Sequence, residues 1–332
     1  MVLNNTSDKA PIEPINQKLR ILVSAPPFVH MREELESLVE KFTFEVSWSS
    51  SLQQLTEEEL ISQLAKYDGW ILGDDPCSEA VLSAGRRGKL KAIVKWGVGV
   101  DNVDFKALHE LGIAFKNTPG VFGKEVADLA MGYLISLFRG IIPVHSSTSI
   151  GNWLKWRGSS LENKKVGVVG YGSIGKNLVK RLLAADVEVY VYEINSNVLN
   201  DSTDFIVRSW PDGVNQLDAI ILACPLTREN QYMINKNVIS KMKQSCYIIN
   251  MSRGKLIREK DLAKALIAGN LSGAALDVFE EEPLPRISPL RDCKNIIFGS
   301  HNGSNTIEAV TRTSLMTLEL MQELLRVKHR DL

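Results

Sequence analysis

Cysteine is scarce in this sequence: Cys77, Cys224, Cys246 and Cys293 are the four in 332 residues, and no two form a Cys-x-x-Cys pair. So few cysteines exclude a disulfide framework and a thiolate zinc site, and they are typical of a protein from a reducing compartment. The histidines and acidic residues also lack the spacing of metal ligands, so we expect no metal.

The chain also lacks an excess of charge of either sign, since 39 basic side chains balance 39 acidic ones. A nucleic-acid partner or an anionic membrane surface is therefore not expected. No apolar run approaches the ~20 residues that span a bilayer. Residues 1–17 are polar and lack the apolar core of a signal peptide. We expect a cytoplasmic protein of about two domains.

Apolar runs alternate with amphipathic stretches through the first half of the chain. The runs at residues 19–23, 42–48, 69–72, 92–95 and 113–115 predict strands, and residues 52–67 and 105–111 have helical spacing. Strands and helices in regular alternation predict an α/β fold, in which helices cover a parallel sheet.

The second half repeats this pattern with stronger strand signals, at residues 165–169, 187–192, 219–223, 247–250, 274–277 and 296–298. Up to six parallel strands is the size of a doubly wound dinucleotide-binding sheet. Long amphipathic helices at residues 124–138 and 306–326 frame this block, and Asn305 with Glu308 gives the second a capping-box-like start. Turn-rich segments at residues 117–120 and 299–303 predict the domain crossings.

A Gly-x-Gly-x-x-Gly pattern, formed by Gly170, Gly172 and Gly175, lies between a predicted strand and a helical run. In that setting Gly170 makes the tight turn, Gly172 admits a pyrophosphate to the backbone, and Gly175 lets the helix pack on the strand. Glu193 ends the next strand, where a carboxylate binds the adenosine ribose and repels a 2′-phosphate. The segment predicts a dinucleotide site that prefers NAD to NADP.

Three predicted strands of the second half end in side chains suited to acid–base chemistry. Arg253 follows the strand at residues 247–250, Asp277 and the acidic run 280–282 follow the next, and His301 follows the last. Ligands bind beyond the carboxyl ends of strands in open parallel sheets. An arginine fork holds a carboxylate bidentately, and a histidine oriented by a carboxylate transfers a hydroxyl proton. We therefore expect these groups to form a catalytic site.

With further motifs, these residues give the chain a resemblance to the NAD-dependent D-2-hydroxyacid dehydrogenase family, from about Leu19 to about Leu325. The matching segments are Lys-Trp-Gly-Val-Gly-Val-Asp-Asn-Val-Asp at residues 95–104, Asn-Thr-Pro-Gly at 117–120, Cys-Pro-Leu-Thr at 224–227, Met-Ser-Arg-Gly at 251–254, Leu-Asp-Val-Phe-Glu-Glu-Glu-Pro at 276–283 and His-Asn-Gly at 301–303. The family includes D-3-phosphoglycerate, D-lactate and glyoxylate/hydroxypyruvate enzymes.

The resemblance implies a Rossmann nucleotide domain at residues 118–299, inserted into a discontinuous flavodoxin-like substrate domain at residues 1–117 and 300–332. It implies a homodimer built on the first long helix and on the segment around Trp153 and Trp156. Since few residues follow the last motif, we expect no appended C-terminal regulatory domain.

By the same resemblance Arg253, Glu282 and His301 are catalytic. Glu282 is the partner of His301, rather than its two acidic neighbours, because it directly precedes a proline. The cofactor-binding residues implied are Val98, Gly170, Gly172, Ser173, Ile174, Gly175, Glu193, Cys224, Pro225, Asn230, Met251, Ser252, Asp277 and Gly303, with Asp277 on the nicotinamide carboxamide. The substrate-binding residues implied are Lys95, Trp96, Gly97, Val98, Gly99 and Arg253.

Two departures from the family pattern bear on the turn before the histidine and on the substrate. Ser300 stands where most relatives have a proline. Gly73, Asp74 and Asp75 stand where many phosphoglycerate dehydrogenases have an arginine that grips the substrate phosphate. Lys95 is the basic side chain left to hold a phosphate, so 3-phosphoglycerate is one candidate among several hydroxy acids.

Three other functions share parts of this pattern. Transcriptional corepressors of the same fold bind NADH and keep the Arg-Glu-His set, so turnover of keto acids is needed to separate them from enzymes. Formate dehydrogenases replace the glutamate partner, whereas Glu282 is present, and methyltransferases reuse the glycine loop without needing His301 and Arg253. The expected function is hydride transfer between NAD and C2 of a D-2-hydroxy acid or 2-keto acid.

Overall fold

The computed structural model describes residues 18–51, 53–195, 197 and 204–326. The chain divides into two compact units, of which the first ends at Thr118 and resumes at Ser314, and the second is Pro119–Thr313. Residue 52, the predicted start of the first helix, lies outside the described residues, and residues 53–56 are not helical, so that helix begins later than predicted.

Five parallel strands form the sheet of the first unit: β1 (Arg20–Val23), β2 (Glu45–Trp48), β3 (Gly69–Leu72), β4 (Ala92–Lys95) and β5 (Ala114–Asn117). They lie in the order β2-β1-β3-β4-β5, which is the flavodoxin-like order that was expected. β3 and β4 are buried at every position, as parallel strands are when helices cover both faces of the sheet.

Helices of the first unit are α1 (Pro26–His30), α2 (Glu36–Val39), α3 (Glu57–Gln63), α4 (Glu79–Arg87) and α5 (Phe105–Glu110). Thr56 and Glu59 form a capping box at the start of α3, and Ser78 and Asp104 cap α4 and α5. Two predicted limits are corrected here. The second strand starts at Glu45 because residues 42–44 form bends, and the helix predicted to residue 67 ends earlier, in a 3-10 turn.

Seven parallel strands form the sheet of the second unit: β6 (Lys165–Val169), β7 (Glu188–Tyr192), β8 (Ile206–Arg208), β9 (Ala219–Leu222), β10 (Tyr247–Asn250), β11 (Gly273–Leu276) and β12 (Ile296–Phe298). Their order is β12-β11-β10-β9-β6-β7-β8, which contains the doubly wound dinucleotide-binding order. All six predicted strands are present within one residue of their predicted limits. The prediction of up to six strands missed β8, a short and largely exposed edge strand without an apolar run.

The remaining helices are α6 (Gly123–Arg139), α7 (Ile141–Ser149), α8 (Ser173–Leu183), α9 (Lys236–Ile239), α10 (Glu259–Ile267) and α11 (Ile307–Arg326). α8 starts directly after Gly172, three residues earlier than predicted. Within the described part of the chain, no single helix has the length and apolar character to cross a membrane. α6 and α7 reach that composition only as a pair bent by 67°.

The second crossing between the units lies inside α11, between Thr313 and Ser314, whereas the sequence prediction placed it in the turn at residue 300. The turn ends the last strand, but α11 continues without a break, so its first residues group with the second unit and the rest with the first. The limits predicted for the two functional domains, residues 1–117 with 300–332 and residues 118–299, remain a prediction.

The start of α11 corrects the predicted capping box. Thr306 Oγ1 accepts the Ala309 N–H at 3.1 Å, and the Thr306 carbonyl accepts the first helical N–H, that of Val310. Asn305 instead donates its side-chain amide to Asn302. Thr306 is therefore the N-cap, one residue after the predicted position.

We expect Thr306→Ala to destabilise the protein by about 1 kcal/mol, because the Ala309 N–H loses its only side-chain acceptor. The midpoint of thermal unfolding, measured by circular dichroism, then falls by about 3 °C. Asn305→Ala is the matched control and leaves the midpoint nearly unchanged. A larger loss in Asn305→Ala than in Thr306→Ala would contradict this capping.

Candidate active site

The glycine-rich turn after β6 is shaped by close contacts of its backbone. Gly170 has φ +99°, and a Cβ there would lie 2.8 Å from the backbone of Cys224. Gly172 faces open space and directly precedes α8, so the first N–H groups of that helix, at Ser173 and Ile174, have no helical acceptor. Such a helix start, open to an approaching group, fits a pyrophosphate.

Glu193 lies beside this turn, at the end of β7. Its carboxylate accepts the Tyr171 N–H at 2.7 Å through one oxygen and the Asn195 N–H at 2.9 Å through the other. The residue predicted to bind a ribose therefore also fixes the backbone of the glycine turn.

Two further loops follow β9 and β10 and are linked by hydrogen bonds. Ser252 donates its hydroxyl to the Cys224 carbonyl, and Asn230 donates its amide to the Pro225 carbonyl at 2.7 Å. Met251, which is buried, directly precedes Ser252. The five residues, all predicted to bind the cofactor, thus belong to one connected group of loops at the carboxyl edge of the sheet.

His301 and Glu282 are in direct contact. Nδ1 of the imidazole lies 2.7 Å from Oε2 of the carboxylate, and 31% and 24% of the two side chains are exposed. The other carboxylate oxygen accepts the Phe279 N–H at 2.9 Å. When the imidazole is neutral, this contact places the proton on Nδ1 and leaves Nε2 as a proton acceptor.

Asp277 holds the turn that carries His301. Its carbonyl accepts the His301 N–H at 2.6 Å, and its carboxylate accepts the N–H groups of Asn302 at 3.1 Å and Gly303 at 2.8 Å. The side chain is almost fully buried. His301 has φ +55°, a conformation that is unfavourable for a residue other than glycine, so these bonds stabilise a strained turn.

Arg253 lies in the loop after β10, and this loop packs against the turn that contains Glu282. A Cβ at Gly254 would overlap the main chain of Phe279 and Glu280, so the two loops touch through their backbones. Asn250 donates to the Arg253 carbonyl at 2.9 Å. The structure thereby brings the loop of Arg253 to the same edge of the sheet as the imidazole and its partner carboxylate.

A second link between these loops was not anticipated from the sequence. Glu259 and Glu280 each accept the other's backbone N–H, at 2.6 and 2.7 Å. Burial raises the pKa of the Glu259 carboxyl, and the charge of Glu280 adds to this. The pair joins the start of α10 to the acidic turn. No motif marks it, because both glutamates read as solvated surface charges.

Lys95 of the first unit is buried, with 1% of its surface exposed. Its ammonium group donates to the Gly73 carbonyl and, at 2.7 Å, to Asp74. Asp75 next to it is fully buried and accepts hydrogen bonds from Ser24 and two backbone N–H groups. The Lys95 side chain predicted to hold a phosphate is therefore engaged within its own unit.

The loop after β4 carries the other residues predicted to bind substrate. The Trp96 indole donates to Ser314 at 3.1 Å, and the Gly97 N–H donates to Thr118 at 2.9 Å. Val98 is exposed, and its carbonyl accepts the Asn117 amide. Gly99 follows in the same loop. The described residues contain no group of three or more His, Cys, Asp or Glu side chains arranged to bind a metal.

The sequence and the fold are similar to those of known proteins. The profile described as "D-isomer specific 2-hydroxyacid dehydrogenase, NAD binding domain" matches residues 131–303. D-3-phosphoglycerate dehydrogenase of Methanocaldococcus jannaschii is 35% identical over 82% of this chain and 52% of its own length. Glyoxylate reductase of Thermofilum pendens is 34% identical over 77% of this chain and 78% of its own length. The match thus spans only about half of the phosphoglycerate dehydrogenase.

A solved structure agrees with these relatives. The apo-structure of D-lactate dehydrogenase from Escherichia coli superimposes with a TM-score of 0.80 and 26% identity, covering 93% of this chain and 97% of that one. The chain belongs to the D-isomer specific 2-hydroxyacid dehydrogenase family. The family is one of enzymes, its cofactor is NAD, and the predicted Rossmann and substrate-domain fold is confirmed.

The close contact of Gly254 with the backbone of residues 279–280 leads to a prediction about stability. We expect Gly254→Ala to destabilise the protein by about 1–3 kcal/mol, because the added methyl displaces the main chain of Phe279 and Glu280. Gly132→Ala in α6 is the control, since its Cβ meets no atom within 4 Å. Chemical denaturation followed by fluorescence measures both. An unchanged denaturation midpoint in Gly254→Ala would contradict the contact.

Proposed function

We propose that the protein transfers a hydride between NAD and C2 of a D-2-hydroxy acid or the matching 2-keto acid. The observation that carries this proposal is the 2.7 Å contact of His301 with Glu282, at the sheet edge reached by the Arg253 loop. All three residues belong to the same compact unit as the glycine turn.

Several groups of this unit fit NAD. The open helix start at Gly172, Ser173 and Ile174 suits the pyrophosphate, and the Glu193 carboxylate suits the ribose hydroxyls while repelling a 2′-phosphate. The loops at residues 224–230 and 251–252, with Asp277 and Gly303, complete the proposed set of cofactor-binding residues. Bound NAD supplies the hydride acceptor and donor.

The roles of the catalytic residues follow from their contacts. Glu282 holds Nδ1 of His301, so Nε2 takes the hydroxyl proton during oxidation and returns it to the carbonyl oxygen during reduction. A carboxylate beside the ring stabilises the imidazolium that forms. The Arg253 guanidinium binds the substrate carboxylate and polarises the carbonyl group. The roles of residues 95–99 in holding the same carboxylate remain a prediction from resemblance.

Lys95 bears on the substrate class. The relatives include enzymes named for a phosphorylated acid and for small unphosphorylated keto acids. Lys95 is buried against Gly73 and Asp74, and the neighbouring segment has two carboxylates where a phosphate would need cations. We therefore favour small unphosphorylated substrates such as glyoxylate and hydroxypyruvate. A cytoplasmic location remains a prediction.

The catalytic proposal is tested by NADH oxidation with a panel of glyoxylate, hydroxypyruvate, pyruvate and 3-phosphohydroxypyruvate. We expect His301→Ala to lower kcat by at least ~100-fold, because the proton donor is lost, while NADH affinity measured by fluorescence changes little. Glu282→Gln lowers kcat by about tenfold or more, because the charge beside the imidazolium is lost.

Glu281→Gln is the matched control, because it removes the neighbouring acidic charge and leaves the contact between Glu282 and His301 in place. Its kcat stays near that of the parent protein. Tight NADH binding without turnover of any keto acid would favour the NADH-sensing corepressor function instead. Near-normal turnover in His301→Ala would refute the assignment of His301.

A homodimer is part of the proposal. α7 and the segment after it expose large apolar side chains, including Ile150 at 76% and Trp153 at 74%. An apolar surface of this kind is typical of a protein–protein contact. The ring of Trp156, in the same segment, packs against Gly140.

We expect Trp153→Glu to convert the dimer to a monomer, because a buried carboxylate at an apolar interface is left unpaired. Size-exclusion chromatography with light scattering measures the mass. Ile287→Glu is the control, since Ile287 is 94% exposed in a separate loop and its variant keeps the parent mass. A monomeric parent protein would overturn the dimer.

A further inference from the structure

Tyr133 lies on α6 and contacts Asp277, the residue that holds the His301 turn. Its hydroxyl donates to Oδ1 of Asp277 at 3.3 Å. No sequence motif includes Tyr133, and neither the proposed cofactor residues nor the proposed catalytic residues include it. Its only described hydrogen bond nevertheless goes to the carboxylate that holds the catalytic turn.

The hydroxyl, the carboxylate and the start of the turn are tightly packed. A Cβ at Gly299 would overlap both the Tyr133 hydroxyl and Oδ1 of Asp277. Gly299 is two residues before His301, and its N–H donates to the Leu276 carbonyl at 2.7 Å. The phenol therefore lies against the first residue of the turn as well as against Asp277.

Tyr133 is held as a hydrogen-bond donor. Burial raises the pKa of its hydroxyl well above the ordinary tyrosine value, and the charge of Asp277 raises it further. The hydroxyl keeps its proton at neutral pH and gives it to the Asp277 carboxylate as a hydrogen bond. Asp277 then has three donors: this phenol and the N–H groups of Asn302 and Gly303.

We propose that Tyr133 is a positioning residue, which acts through Asp277 to hold residues 299–303 in the one conformation that presents the His301 imidazole. This inference rests on the proposed acid–base role of His301. Without the phenol, the carboxylate keeps the N–H bonds from Asn302 and Gly303 but loses one of the three donors that fix its orientation. His301 then loses part of the support for its positive φ.

The test compares Tyr133→Phe with Tyr190→Phe. Tyr190 is buried where Tyr133 is half-buried, and it likewise donates its hydroxyl to a carboxylate, that of Glu188 at 2.6 Å, at the opposite end of β7 from the glycine turn. Both variants lose one phenol–carboxylate hydrogen bond, so we expect similar small decreases in the midpoint of thermal unfolding. The Tyr190 hydroxyl also interacts with Lys165, so a purely structural effect would be at least as large in Tyr190→Phe as in Tyr133→Phe.

The first readout uses the cofactor-free protein. Hydrogen–deuterium exchange of the peptide containing Asn302 and Gly303 becomes about tenfold faster in Tyr133→Phe and stays at the parent rate in Tyr190→Phe, because only the former loosens the acceptor of these N–H groups. The second readout is steady-state kinetics. We expect kcat to fall about tenfold in Tyr133→Phe, with NADH affinity within about threefold of the parent value.

Unchanged exchange in Tyr133→Phe, or a kcat within twofold of the parent value in an active enzyme, overturns the inference and leaves the proposed function standing. Equal losses of activity in Tyr133→Phe and Tyr190→Phe also overturn the inference and leave the proposed function standing. A parent protein that turns over no 2-keto acid overturns the proposed function and the inference together. These results are distinguished by assaying the parent protein and both variants side by side.

Discussion

One buried carboxylate, Asp277, holds the turn that carries His301, the proposed acid–base residue. The histidine adopts a left-handed backbone conformation, which costs about 1–3 kcal/mol for a residue with a side chain. Hydrogen bonds to a charged acceptor contribute about 1.5–3 kcal/mol each. Asp277 accepts two such N–H bonds from the turn and a third through its carbonyl, so they are sufficient to offset the strain. The geometry proposed for proton transfer by His301 thus depends on a side chain with no proposed part in that transfer.

The positions of the other proposed catalytic residues depend on contacts between loops as well as on the strands beneath them. Gly254 lets the Arg253 loop lie directly on the backbone of the acidic turn, and the reciprocal bonds of Glu259 and Glu280 lock the same two segments. Parallel strands bring these loops to one edge, and the backbone contacts fix how the loops lie against each other there.

Much of this arrangement was predictable from sequence, and the failures have physical causes. Apolar strands and the glycine turn were found because burial and phosphate binding restrict residue type strongly. β8 was missed because an exposed edge strand needs no apolar run. The cap of α11 was misplaced by one residue, because Asn305 and Thr306 are both good caps and only the backbone decides between them. The role proposed for Tyr133 could not be predicted from the sequence, because no local pattern marks a helix residue that contacts a loop 144 residues later.

Lys95 illustrates why charge in a sequence does not by itself define a ligand site. An ammonium group excluded from water requires partners, and Asp74 with the Gly73 carbonyl supplies them within the first unit. A substrate phosphate would have to displace that carboxylate, leaving a second charge without a partner beside the buried Asp75. Burial raises the pKa of the Asp75 carboxyl, even though three hydrogen bonds and the Lys95 charge lower it. The Lys95 ammonium group therefore stabilises the first unit through Gly73 and Asp74. In the proposed function, the groups that bind the carboxylate and the C2 substituent would then distinguish one hydroxy acid from another.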